Sequence, residues 1–421
     1  MILRCLQVSP RRARASVPAS RPSPASRPKA AFRPKAALRR GQPGADEIAA
    51  LAVPAFRLEA APRPKAAWAI ASAVRPLRVL LFAVSLSVLS SSAPRAAPAA
   101  GSSVDGQDPS LEFLRPVSTY SIVARDPETG QLGVAVQSHW FSVGPIVPWA
   151  EAGVGAVATQ SFVDPSYGPM GIELMRSGRN AEQALRALVS SDPDSSVRQV
   201  AMVDANGRVA AHTGSLCIHA AGHRKGEQFS VQANLMDRDT VWPAMEKAYR
   251  ESKGDLAERL LSALEAAEME GGDIRGRQSA AILIVSPVNT GRPWADRLFD
   301  LRVEDNPTPV AELRRLVQLQ RAYLAMNEGD EWVTKGDIDR ALGAYRRACE
   351  TVPDEATNGE APFWVGVTLA DNGRVDEAIE YLRRAQAQDP NWARLLPRLP
   401  GSKLLPSDPR LIERLVKEME P

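Results

Sequence analysis

The sequence predicts an α+β domain followed by an all-α helical-repeat domain, and three observations carry that expectation. Hairpin signals stand at Thr119–Gln137 and Arg198–Thr213, each a pair of β-rich runs around a turn containing Pro-Glu-Thr-Gly or Asn-Gly. Stretches with helical apolar spacing alternate with short apolar runs between and after them. Near the C-terminus a block of residues returns at an offset of 37.

The first hairpin joins Thr119–Arg125 to Gln131–Gln137 through Asp126-Pro127-Glu128-Thr129-Gly130, and a Ser-Thr pair opens its first strand. Val143–Trp149 reads as a loop because of its prolines, and Gly155–Phe162 as a buried strand. Met170–Ser177 and Ala181–Ser190 have helical spacing, with Asn180 placed to cap the second. Arg198–Val203 and Arg208–Thr213 form the second hairpin through Asp204-Ala205-Asn206-Gly207. Gln228–Asn234 is a further strand, and Thr240–Glu251 and Leu256–Ala267 are helices. Gln278–Val285 and Leu298–Val303 close this domain, residues 118–307, as strands.

The C-terminal domain, residues 308–421, opens with an amphipathic helix over Pro309–Met326. Gly336, Ala341, Ala348 and Pro353 then recur as Gly373, Ala378, Ala385 and Pro390. This pattern resembles tetratricopeptide repeats, with a period lengthened by the loop Glu355–Glu360. Small alanines let paired helices approach closely, and glycine ends the first helix of each pair. Two repeats are few for independent stability, so the array is expected to dock on the preceding domain or to mediate dimerisation. Trp332, Trp364 and Trp392 read as core.

Composition narrows the functional classes. The 421 residues have room for two or three domains, and the net charge of +3 conceals two opposite halves. Residues 1–99 carry 17 Lys and Arg against 3 Asp and Glu, which leaves 35 against 46 for the rest. An acidic body argues against nucleic acid as a partner, because phosphate binding needs a basic surface. Cys5, Cys217 and Cys349 fit neither a disulfide framework nor a cysteine metal site, and Cys217 reads as a small buried hydrophobe.

Residues 1–73 are expected to be a disordered basic leader, with three copies of Arg-Pro-Lys-Ala-Ala. Arg75-Pro-Leu-Arg78, the apolar run Val79–Leu89 and Ala97-Pro98-Ala99 have the order of a secretory signal peptide over 74–99. A natural signal would begin near Val74, which points to a start of translation there. The alternative is a membrane-anchored basic N-terminus, for which the apolar run is short. Export makes the protein secreted or periplasmic, and residues 100–117 become a linker.

Several residues offer chemistry. His219 and His223 have i,i+4 spacing, but Gly222 lies between them and no zincin glutamate follows, so an exposed loop pair is expected beside His212 and no metal is assigned. Asp273, Arg275 and Arg277 sit in a Gly-rich turn before a buried strand, where an arginine fork either binds a substrate carboxylate or braces the loop. No phosphate loop or dinucleotide fingerprint is present, and no cofactor is expected.

The motifs Thr119-Tyr-Ser-Ile-Val-Ala-Arg-Asp-Pro-Glu-Thr-Gly130, Gly133-Val-Ala-Val-Gln-Ser138, Gly155-Ala-Val-Ala-Thr-Gln160, Pro165-Ser-Tyr-Gly-Pro169 and Gly272–Ala281 resemble the bacterial domain-of-unknown-function family 1028. That family in turn resembles the N-terminal-nucleophile hydrolases, which implies an αββα four-layer sandwich. It also implies a mechanism in which a mature N-terminal Thr attacks an amide carbonyl with its own α-amine as base. Thr119 matches the family's frequent starting Thr and is the implied nucleophile. Asn234 stands in Gln-Ala-Asn where the family usually has Gln-Gly-Asn, and either donates to an oxyanion or caps a strand. Asp273 joins these two as a catalytic candidate. Ser138 and Gln160, which close two of the motifs, join Arg275 and Arg277 as expected substrate-binding residues. His139 occupies a position where the family commonly has Lys.

One departure matters. Signal cleavage near Ala99 would leave about twenty residues ahead of Thr119, so its nitrogen would be an amide. Either a second cut at Ser118–Thr119 frees it, or the chain is not an active enzyme of this type. The expected function is therefore hydrolysis of an amide-type bond in a small molecule or peptide. The alternative is a non-catalytic scaffold that binds a partner through its repeats, which a buried Thr119 without a cleft would favour. A protein partner and a second copy of the chain are both open.

Overall fold

The computed structural model describes residues 116–420; the expectations for the leader, the signal peptide and most of the linker fall on residues 1–115 and lie outside the described residues. β1 (Thr119–Arg125) and β2 (Leu132–Ser138) form the first hairpin, with Thr119 opposite Ser138. β3 (Pro148–Glu151) and β4 (Gly155–Ser161) follow, then α1 (Tyr167–Arg176) and α2 (Ala181–Ser191). Asn180 caps α2 by accepting from Gln183 N, and the Gln183 side chain answers in a capping box. β5 (Arg198–Asp204) and β6 (Val209–Thr213) are the second hairpin, and β7 (Gly222–Gly226) pairs with β8 (Phe229–Ala233). α3 (Val241–Glu251), α4 (Leu256–Met269), β9 (Ser279–Val285), the short α5 (Pro293–Asp296) and β10 (Arg297–Val303) complete the domain.

The strands make a six-stranded sheet in the order β10-β9-β2-β1-β8-β7 and a four-stranded sheet in the order β3-β4-β5-β6. Every pairing is antiparallel. Strand alternation sorts the side chains. Along β5, Ala201 and Val203 join a cluster shared with Val123, Val134 and Val136 of the other sheet. Val200 and Met202 point the other way, onto Ile172 and Met175 of α1 and Leu185 and Leu188 of α2. Ile122, Ala135 and Ile282 of the six-stranded sheet meet Leu256, Leu260 and Leu264 of α4. The two sheets thus face one another, and each turns its other face to helices.

Two strands depart from expectation, both at sheet edges. β3 carries Pro148 at its first residue, where a missing N–H costs no ladder bond, so prolines that read as loop are compatible with an edge strand. β7 is Gly-His-Arg-Lys-Gly, a charged edge that would not read as a strand at all. α1 begins three residues before Met170, since Pro169 is tolerated in a first turn.

The helical domain comprises α6 (Pro309–Thr334), α7 (Ile338–Thr351), α8 (Glu360–Asp371), α9 (Val375–Gln388), α10 (Asn391–Leu395) and α11 (Pro409–Met419). Ala341, Ala348, Ala378 and Ala385 are all without solvent exposure at the helix contacts. α6 outruns its expected end at Met326 because Gly329 does not break it: the Tyr345 ring packs where a Cβ would stand. Gly366 repeats that arrangement 37 positions on, against Leu382. Gly336 and Gly373 close α6 and α8 at φ +77° and +76°. In both, the next residue's N–H returns to the carbonyl five back, Asp337 to Trp332 and Arg374 to Leu369. Trp332, Trp364 and Trp392 pack against this core. The array docks on the preceding domain through α6, whose Val310, Leu313 and Val317 enter the α4 cluster. No helix among the described residues is long and apolar enough to cross a membrane.

Candidate active site

The space between the sheets changes character along the strands. At one end it is valine and alanine; at the other lie Thr119, Ser121, Ser138, Gln160, Gln199, Gln232, Asn234 and Ser279, all without solvent exposure. Antiparallel pairing places the start of β1 beside the ends of β2 and β8, and the end of β4 beside the start of β5, so these positions share one end.

Buried amides are tolerable only when paired, and here they pair across the two sheets. Gln199 Oε1 accepts from Gln160 Nε2 at 2.7 Å and Asn234 Nδ2 at 2.9 Å. Gln199 Nε2 donates to Thr213 Oγ1 and to the Ala233 carbonyl, both at 2.9 Å. Ser121 Oγ donates to Gln160 Oε1 and accepts from Gln232 Nε2, each at 2.6 Å. The lattice fixes Thr119, whose carbonyl accepts from Asn234 N at 3.1 Å and Gln160 Nε2 at 3.2 Å.

The Thr119 hydroxyl donates to the Val117 carbonyl at 2.7 Å and stands 3.2 Å from Ser138 Oγ. Ser138 Oγ donates to the Ser118 carbonyl oxygen. Arg275 Nη2 donates to that same oxygen at 3.0 Å, and Arg275 Nη1 to the Pro116 carbonyl at 3.3 Å. Asp273 holds the guanidinium: its Oδ1 accepts from Arg275 Nε at 3.0 Å and its Oδ2 from Nη2 at 2.7 Å. Its two oxygens also take the backbone N–H groups of Arg275, at 2.9 Å, and His139, at 3.2 Å.

Residues Pro116 and Val117, expected as linker, are thus part of the fold. Val117 is buried in the inter-sheet cluster and exchanges both backbone hydrogen bonds with Ser161. Ser118 Oγ, Ser161 Oγ and Asn234 Oδ1 are buried and have no partner among the described residues.

The fold therefore brings together Thr119, Ser138, Gln160, Asn234, Asp273 and Arg275. It leaves Arg277 elsewhere, on the helix-facing side of β1, paired with Glu268. Tyr120, adjacent to Thr119 but pointing to that side, donates from its hydroxyl to Glu268 at 2.8 Å. Burial pushes the Glu268 carboxyl up and the Tyr120 phenol well up from their ordinary values. Gln199, Gln232, Ser121 and Thr213 were missed by sequence reasoning; the signal was a polar residue at the same end of each otherwise apolar strand.

The remaining candidates are separately engaged. His212 Nε2 lies 2.8 Å from the Ser195 carbonyl, and His219 is exposed. His223, on β7, lies 2.8 Å from Thr213 Oγ1, and burial lowers its pKa, so it extends the network as a neutral ring. Burial raises the thiols of Cys217 and, to about 11, Cys349, which keeps both protonated. A concavity of about 440 Å³ lies in the repeats, lined by residues that include Asp330, Tyr345, Glu360, Trp364, Asp371 and Lys403.

A family model described as "Family of unknown function (DUF1028)" matches residues 119–313. A crystal structure of a protein from Silicibacter pomeroyi, also placed in that family, is 32% identical. The likeness covers 48% of this chain and 85% of that one, at a TM-score of 0.43. Residues 119–313 are thus a DUF1028 domain. A tetratricopeptide-repeat model matches residues 326–391, and no curated protein matches the chain. The DUF1028 match starts at Thr119 itself and ends at Leu313, inside α6, while the repeat match takes up the same helix from Met326.

Proposed function

We propose that the DUF1028 domain is an exported amide hydrolase that acts through Thr119 as an N-terminal nucleophile once the chain is cut between Ser118 and Thr119. The observation that carries this reading is the double grip of Ser138 Oγ and Arg275 Nη2 on the Ser118 carbonyl oxygen, one residue before a buried threonine hydroxyl. Those donors polarise the bond that would be cut and receive charge as its carbonyl becomes tetrahedral. The start of the family match at Thr119 supports the same boundary.

In the cut, Thr119 Oγ1 adds to the Ser118 carbonyl carbon. The C–N bond breaks, and the hydroxyl proton passes to the Thr119 nitrogen. Water then hydrolyses the Ser118–Thr119 ester, leaving a Ser118 carboxylate and a free Thr119 with its hydroxyl and α-amine. A free α-amine ordinarily titrates at about 8, close enough to neutrality to take the hydroxyl proton in each later turnover. Attack on a substrate amide forms an acyl ester on Oγ1, the proton leaves with the departing amine, and water releases the acid.

Intact-mass measurement and N-terminal sequencing of exported protein test the reading. A chain starting at Thr119, abolished by Thr119→Ala, supports it; a wild-type chain that keeps Ser118 attached and shows no amidase activity sinks it.

A second reading has its own observation. Thr119 has no solvent exposure in the uncut chain, which in that form has no nucleophile to offer. On this reading the domain is a non-catalytic scaffold, and the repeats bind a protein partner or a second copy of the chain through the concavity around Trp364.

A further inference from the structure

We infer that the cut site takes extended peptide amides with a small residue before the scissile bond and a branched apolar residue before that. This inference rests on the nucleophile reading of Thr119. Its ground is that Pro116-Val117-Ser118 already lies in the site in the manner of an acyl-side substrate, so its contacts are those a substrate would inherit.

Four contacts define the imprint. The Ser118 carbonyl oxygen is held by Ser138 Oγ and Arg275 Nη2, which is where the oxygen of a reacting amide must sit. The Val117 N–H donates to the Ser161 carbonyl at 2.6 Å and the Val117 carbonyl accepts from Ser161 N at 3.1 Å, a single antiparallel β-bridge at the end of β4. The Val117 side chain is buried with the inter-sheet valines. The Pro116 carbonyl accepts from Arg275 Nη1 at 3.3 Å.

Departure of the segment that ends at Ser118 would free each of these partners at once. Ser161 would present an unpaired N–H and C=O to a new strand, the means by which sheets commonly capture extended peptides. Ser161 has φ +72°, an unusual conformation for a non-glycine residue, and it is this residue that aims both backbone groups at Val117. The valine position would open as an apolar slot, and the fully buried Ser118 leaves room for a small side chain only. The two freed guanidinium donors, still fixed by Asp273, would read two carbonyl oxygens of the same acyl strand. Hydrolysis consumes one water and yields a peptide acid and an amine.

The test varies the substrate and leaves the protein unchanged. Full-length chain that has cut itself is assayed with fluorogenic amides of acetyl-Arg-Pro-Val-Ser and of three analogues, carrying Asp for Val, N-methyl-Val for Val, or Phe for Ser. The parent is expected to be hydrolysed, with kcat/KM falling about tenfold or more for every analogue, because each removes a backbone bond, charges an apolar slot or overfills a small one. The free acid Arg-Pro-Val-Ser is expected to inhibit competitively, and its N-methyl-Val form to inhibit at least about tenfold more weakly. Equal rates across the panel, or a cut chain that neither hydrolyses the parent nor binds the acid, overturn the specificity and leave the nucleophile standing. A chain that is never cut removes both.

Discussion

Arg275 donates through Nη2 to the carbonyl oxygen of Ser118 at 3.0 Å, although 157 residues separate them. The contact ties the Gly-rich turn before β9 to the peptide bond that leads into Thr119. Arg275→Gln is expected to slow the cut by about 10²–10³, the usual cost of one lost oxyanion donor. Arg275→Lys keeps the charge but loses the fork that reaches Asp273 and Ser118 together, and should recover only part of the rate. A time course of intact mass measures both, and cutting of Arg275→Gln at the wild-type rate contradicts the assignment.

The cut enzyme should show a rising pH profile. Its base is the Thr119 α-amine, which works only when unprotonated, so kcat/KM should climb about tenfold per pH unit below the amine pKa and level off near about pH 8. A profile flat from about pH 5 to 9 on the parent peptide amide would exclude this amine as the base.

Gln199 carries the amide lattice. Replacing it by leucine strips acceptors from the buried Gln160 and Asn234 and a donor from the buried Ala233 carbonyl and the half-buried Thr213. Gln199→Leu is expected to cost about 3 kcal/mol or more in urea unfolding. A loss below about 1 kcal/mol would show the lattice to be dispensable.

Glu268 gives stability a pH dependence of definite sign. Burial, the largest influence on it, raises its folded-state pKa above the unfolded value, although Tyr120 and Arg277 pull the other way. The stabilisation from the more tightly held proton is complete below the ordinary glutamate range and is lost as pH rises through the folded value. Glu268→Gln removes the titration, so from about pH 4 to about pH 7.5 wild type should lose stability relative to the variant. Urea unfolding at both values measures the gap; one that does not move refutes the sign.

The repeats predict a backbone effect. Gly373 closes α8 at φ +76°, where a Cβ would meet open space but an L-residue is strained. Gly373→Ala should cost about 1–2 kcal/mol and Gly373→Asn less, since asparagine tolerates that conformation. Thermal melts rank the three, and an unchanged alanine variant would show that the turn relaxes.

What was legible in the sequence was short-range. The Thr119–Gln137 hairpin, the Asn180 cap and the paired glycines 336 and 373 each announce themselves within a few residues, and the structure has them there. The hairpin also pointed to Thr119, and the Gly-rich turn to Asp273 and Arg275. Their meeting was not legible, because it joins residues 157 positions apart along the chain and depends on a segment whose Pro-Val-Ser composition reads as linker. Gln199 and Gln232 were missed for a related reason: an isolated glutamine in a strand looks like a solvent-facing residue until a second sheet covers it. Arg277 shows the reverse, since its neighbour's contacts say nothing about a side chain that leaves for Glu268.

α6 has its first half in the core of the sheet domain and its second half in the core of the repeats. A single helix of 26 residues, about 39 Å long, belongs to both, so there is no hinge at which one could swing against the other. Cargo held by the repeats would accordingly be carried at a set range and bearing from β1, as a tool is fixed to a lathe bed, rather than trailing on a tether. Reach would be traded for aim.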